Sequence, residues 1–174
     1  MRALVARSIA GLFGMLAACS PPLDWREVRI DDGGFVARFP CRPQRLSRSL
    51  TLAGYAVRME MATCSDEGIT YAASYVDVGD PRAVQPVLEA LQRAAAANIG
   101  AASGVPSPFA LRGATPSAAA ARLAIVGRLP DGRLVQEHAA FFPRGMRVYQ
   151  ASLIGTAPAP AAIDGFFTGL AFRS

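Results

Sequence analysis

The chain has 174 residues, of which 52% are apolar, 8% aromatic and 18% charged, a balance that excludes disordered and fibrous proteins and supplies one packed domain of ordinary size. All 18 basic residues are arginine, which removes Schiff-base and amine-nucleophile chemistry built on lysine. The formal charge of +5 is mild once Arg2 and Arg7 are assigned to an N-terminal segment, because 16 arginines then face 13 acids; they are spread from Arg26 to Arg173 without the clustering of nucleic-acid modules, so no nucleic-acid partner is expected.

Residues 1 to 19 read MRALVARSIAGLFGMLAAC, two arginines followed by an uncharged stretch of 11 residues from Ser8 to Ala18. That stretch is too short to cross a hydrocarbon core of about 30 Å as a helix and has the layout of a secretory signal. Residues 1–18 are therefore expected to be cleaved, residues 19–24 to form a lipidated N-terminus and short spacer, and residues 25–174 to form a single domain. The ending Leu16-Ala17-Ala18-Cys19 resembles the lipobox of bacterial lipoproteins. That likeness implies acylation at Cys19 and cleavage before it, hence a membrane partner reached through lipid. Ser20 stands where an aspartate would resemble the inner-membrane retention signal, so the periplasmic leaflet of the outer membrane is the expected location. The alternative is a buried helix ending in a chance cysteine.

Ser20-Pro21-Pro22-Leu23 reads as a stiff spacer, and six residues from Cys19 to Trp25 reach only about 20 Å when extended. The domain is thus expected close to the lipid. Trp25 suits either an interface or a lid over a sheet. Arg42, Arg45 and Arg48 could face anionic headgroups or a solvated strand edge. With Cys19 committed to lipid, Cys41 and Cys64 form a pair, and an oxidising compartment predicts a disulfide between them. Two free buried thiols are the alternative; two cysteines and one distant histidine fall short of a zinc shell, and neither a metal nor a cofactor is expected.

Strand signals dominate the first half. Gly34 to Phe39 places Phe35, Ala37 and Phe39 on one side, and Gln44 to Leu52 reads as a strand joined through Ala53-Gly54 to Tyr55 to Thr63. In the latter, Tyr55, Val57, Met59 and Met61 alternate with Ala56, Arg58, Glu60 and Ala62, one apolar face and one wet; Ile69, Tyr71, Ala73 and Tyr75 repeat the pattern. Four antiparallel strands in meander order are expected. Asp80-Pro81 then opens a helix whose apolar stripe is Val84, Val87, Leu88, Leu91, Ala94 and Ala95, with Pro86 forcing a kink or a late start and Asn98 and Gly100 as stop signals. Ala101 to Pro108 reads as a loop.

Arg122 to Leu129 and Arg133 to Phe142 flank the turn Pro130-Asp131-Gly132, and Met146 to Ile154 follows a second turn at Pro143-Arg144-Gly145. A short helix presents Ile163, Phe166, Phe167 and Leu170 on one side. The resulting expectation is an α+β fold, an antiparallel sheet of six to seven strands covered by one long and one short helix. Gly34-Phe35 through Phe39-Pro40, Leu111 to Gly113, Asp131-Gly132, Tyr149, and Phe166-Phe167 leading to Phe172 give the chain an order that resembles the PsbP-like fold. That fold is shared by photosystem II extrinsic proteins, a eukaryotic Ran-binding import factor and many short bacterial lipoproteins. The likeness implies fold rather than activity.

His138 is the only histidine, and as a strand neighbour of Glu137 it points to the opposite face, which prevents a direct pair. Ser74 and Ser152 could meet it in space, yet there is no Gly-x-Ser-x-Gly elbow, phosphate-cradling glycine loop, His-Glu-x-x-His or Cys-x-x-Cys. Asp31-Asp32-Gly33-Gly34 could bind a cation but reads first as a solvated turn. Met59, Met61, Tyr55, Tyr71 and Tyr75 read as core before cleft. No catalytic residues are assigned and no enzyme is expected. The expected function is a noncatalytic envelope lipoprotein that presents a rigid domain to a protein partner; the alternative is a binding module for a small apolar or lipidic ligand between sheet and helix.

Overall fold

The computed structural model describes residues 25–173. The expected signal, the lipobox with Cys19 and the spacer lie outside the described residues. In chain order the elements are β1 (Arg26–Arg29), β2 (Phe35–Phe39), β3 (Gln44–Leu52), β4 (Tyr55–Asp66), β5 (Ile69–Asp77), α1 (Val84–Asn98), β6 (Val105–Pro108), β7 (Ala121–Arg128), β8 (Leu134–Arg144), β9 (Arg147–Gly155), α2 (Pro160–Thr168) and β10 (Ala171–Phe172). The fold is α+β. No helix among the described residues is long and apolar enough to cross a membrane.

A seven-stranded antiparallel sheet runs in the order β3-β4-β5-β9-β8-β7-β6, and a second sheet of three strands runs β1-β2-β10. α1 lies on one face of the large sheet, over β9, β8, β7 and the far edge strand β3. The small sheet and α2 cover the other face. One core gathers Val76, Leu88, Leu91, Ile125, Phe141 and Val148 beneath α1. The other gathers Phe35, Phe39, Tyr71, Phe142, Tyr149 and Phe166 beneath the small sheet. With both faces covered, the central strands β5 and β9 bury residues on both sides, unlike the single wet face the alternation suggests.

The local geometry follows residue chemistry. Ala53 and Gly54 both take positive φ, 49° and 85°, the left-handed pair a tight hairpin needs between β3 and β4. Asp80 accepts from the Arg82 N–H at 2.9 Å and starts a 3-10 turn, Pro81–Ala83. α1 begins at Val84, so Pro86 falls in the first turn, where its missing N–H has no helical acceptor to lose. The helix starts late rather than kinking.

Four expectations need correction. β2 does not join the meander with β3, β4 and β5: it is the central strand of the small sheet, paired with β1 and β10. β10 has two residues and β1 four, too short for a period-two signal. The stretch Ala101 to Pro108 is not all loop, because Val105–Pro108 pairs with β7 as an edge strand whose prolines need no outward donor. Pro143 lies within β8 opposite Val148; β7 pairs only as far as Phe141, and beyond it the Pro143 carbonyl accepts from the Thr115 N–H at 2.8 Å, so no ladder donor is missed. Finally, Ala62 and Cys64 on the wet side of β4 are 0% and 8% exposed, because the small sheet docks there.

The expected disulfide is present between Cys41 and Cys64. Cys41 sits just after β2 and Cys64 on β4, so the bridge ties the small sheet to the large one.

Candidate functional site

Between α1 and the large sheet lies a groove of about 320 Å³, at the small end of the range for ligand sites. Its near wall is the inward face of β3, Leu46, Arg48, Leu50 and Leu52, and its far wall is Leu91, Ala94, Ala95 and Asn98 of α1. The floor is Met59 and Met61 of β4, Ala72 and Ser74 of β5, and Gln150 and Ser152 of β9. Strand pairing sets these side chains in rows: Leu46, Met61, Ser74 and Gln150 stand side by side across four strands. Space persists here because helix and floor present small residues, Ala94 and Ala95 above Ala72, Ser74 and Ser152, where larger side chains would close the contact.

The groove is two-sided chemically. Leucine and methionine line the β3 and β4 side, and methionine adapts to irregular apolar guests. Ser74, Gln150 and Ser152 form a polar track at the β5 and β9 side, with the Ser74 hydroxyl donating weakly to the Gln150 carbonyl at 3.5 Å. Among the described residues, Arg48 is the one charged residue lining the groove. Of the candidate cleft residues read from the sequence, Met59 and Met61 line it; Tyr71 and Tyr75 belong to the opposite face. Leu46, Asn98 and Gln150 were missed, and Arg48, expected to face headgroups or a solvated strand edge, lines the groove instead; the alternation of Leu46, Leu50 and Leu52 around Arg48 is the signal that could have found the β3 wall.

The other candidates are not gathered into a site. Ser74 and Ser152 face α1, whereas His138 stands on the side of Ala140 and Phe142, so the sheet separates them. Burial, and then the charge of Arg122, lowers the His138 pKa. Glu137 lies on the α1 face with Ile125 and Ile154 as ladder neighbours; it is 7% exposed, and desolvation raises its pKa to about 7. Trp25 is half-buried and meets Tyr71 edge-on at 6.0 Å, which makes it a lid over the second core.

Asp31 is not in a solvated turn. Its side chain is fully buried and accepts from the Phe35 N–H at 2.8 Å, the Tyr149 hydroxyl at 2.7 Å and the Arg147 guanidinium at 3.0 Å. Arg147 also pairs with Asp32 and Asp77; its hydrogen bond to Asp32 holds that carboxyl below its usual pKa, and Arg147 is itself raised. The cation for the Asp31-Asp32 turn is therefore a side chain of the same protein. No cluster of three or more metal-ligating residues occurs among the described residues.

No protein-family model matches the chain, and neither curated proteins nor solved structures give a match.

Proposed function

We propose that the chain is a noncatalytic exported binding module that holds a small apolar or lipidic molecule in the groove between α1 and the large sheet. The observation that carries this reading is the groove itself, a cavity of about 320 Å³ in an interface that is otherwise packed. Filling it with Ala94→Trp is the direct test. Purified full-length protein is expected to enhance the fluorescence of Nile red, and Ala94→Trp to abolish that enhancement while leaving the far-ultraviolet circular dichroism intact. Equal enhancement by the folded variant would refute the groove as the binding site.

The same reading places the module on a membrane through acyl chains on Cys19, at the periplasmic face of the outer membrane, with a body of PsbP-like kind. Two acyl chains anchor firmly where one is marginal. Cys19→Ser is expected to abolish labelled-palmitate incorporation and to release the protein from the membrane fraction; undiminished labelling would remove the anchor from the proposal.

Docking to an envelope protein is a second reading, favoured by the edges of the large sheet. The β6 edge carries Pro106 and Pro108, which block strand addition, whereas the nine residues of β3 hold no proline and pair with β4 without a bulge. An open edge of that length can accept a partner strand. Crosslinking from β3 in intact cells is expected to trap one envelope protein, and its absence would leave the groove as the sole function.

A further inference from the structure

Arg48 occupies an unusual place on its strand. Its neighbours on the groove face are Leu46 and Leu50, its cross-strand partner is Met59, and among the described residues the lining contains no carboxylate to balance it. Other arginines of this region are engaged: Arg45, on the opposite face of β3, donates to the carbonyls of Arg29 and Ile30, and Arg58 pairs with Glu60 at 2.8 Å. Arg48 makes no hydrogen bond or ion pair with a described residue. A guanidinium set among apolar side chains retains five donors in a planar fork that matches a carboxylate.

The size of the groove narrows the guest further. At about 320 Å³ the groove is at the small end of the range for ligand sites. That size suits a single short acyl chain better than a two-chain phospholipid. Resting on the groove reading above, we propose that the ligand is a single-chain carboxylic amphiphile, a medium-chain fatty acid, whose carboxylate is held by Arg48 while its chain lies over Met59 and Met61 towards Leu91.

Calorimetric titration of the full-length protein with decanoate and with decanol separates the two levels of this idea. Decanoate is expected to bind about tenfold more tightly than decanol, the difference a charge-assisted hydrogen bond supplies, and Arg48→Gln to bring decanoate down to the affinity of decanol. Equal binding of the two to the native protein, or a preference for decanoate that survives Arg48→Gln, would overturn the carboxylate assignment and leave the groove standing. Binding of neither would overturn the groove and the assignment together. Thermal unfolding of Arg48→Gln without ligand should match the native protein, since an exposed arginine with no partner adds little to stability.

Discussion

Glu137 carries a carboxyl group into an apolar face between Ile125 and Ile154, and desolvation alone holds its pKa near 7, against an ordinary 4.5. The folded state therefore binds a proton that the unfolded chain releases, so stability falls as pH rises from about 4.5 to about 7. At 1.36 kcal/mol per pH unit, the ceiling is about 3 kcal/mol. Urea unfolding is expected to show greater stability at pH 5 than at pH 8, with Glu137→Gln flattening that slope and stabilising the protein above pH 7. A slope unchanged by the substitution would show that the carboxyl is solvated. Asp31 differs in its surroundings: its buried side-chain oxygens accept from three donors, the Phe35 N–H, the Arg147 guanidinium and the Tyr149 hydroxyl. Nothing in the string Asp31-Asp32-Gly33-Gly34 distinguishes it from a solvated turn, because its partners Arg147 and Tyr149 lie more than a hundred residues away. Removing the Tyr149 hydroxyl as Tyr149→Phe is expected to cost about 1.5 to 3 kcal/mol in the same unfolding assay, the usual value of a hydrogen bond to a charged group.

Among the elements, α1 owes its seat to Gly127. A Cβ at that position would stand 2.1 Å from the Ile99 carbonyl, and the same carbonyl accepts from the Arg128 N–H at 2.7 Å. The helix end and β7 are thus in backbone contact that no side chain fits. Gly127→Ala is expected to push the last turn of α1 off the sheet, at a cost of about 1 to 3 kcal/mol, and hydrogen exchange should quicken at Ile99 to Ala101. Most elements could be read from local pattern: the Ala53-Gly54 and Asp131-Gly132 turns, the stripe of α1 and the long strands all repeat signals contained within ten residues or so. β1, β6 and β10 could not, because strands of two to four residues show too little of a period to count and are strands only by virtue of a neighbour.

At the scale of the whole molecule, the small sheet is a cap on the large one, and the Cys41–Cys64 bridge is its covalent fastening. Closing a loop of this length is worth about 3 kcal/mol in the chain-entropy account. The paired substitution Cys41→Ala with Cys64→Ala is expected to lower the thermal midpoint by several degrees, and a reductant to lower that of the native protein equally; an unchanged midpoint would mean the cap holds without its tie. The groove is a property of this same scale. It exists because α1 meets β3 on one side and β9 and β8 on the other while small residues sit between, and residues from four strands and a helix line it.

The amino-acid order by itself determined the class of fold, the run of strands from Gln44 to Tyr75 and the helix after Asp80, and it made a Cys41–Cys64 bridge the expectation beside two free thiols, a choice the structure decides for the bridge. These depend on period, turn chemistry and arithmetic, which act between near neighbours. Only the tertiary structure decided which sheet β2 joins, which aspartate is buried, and that Met59, Met61 and Arg48 border an opening rather than a closed core. Those outcomes turn on which distant surfaces meet and how much side-chain volume lies between them, and alternation along one strand carries no record of what is packed against it.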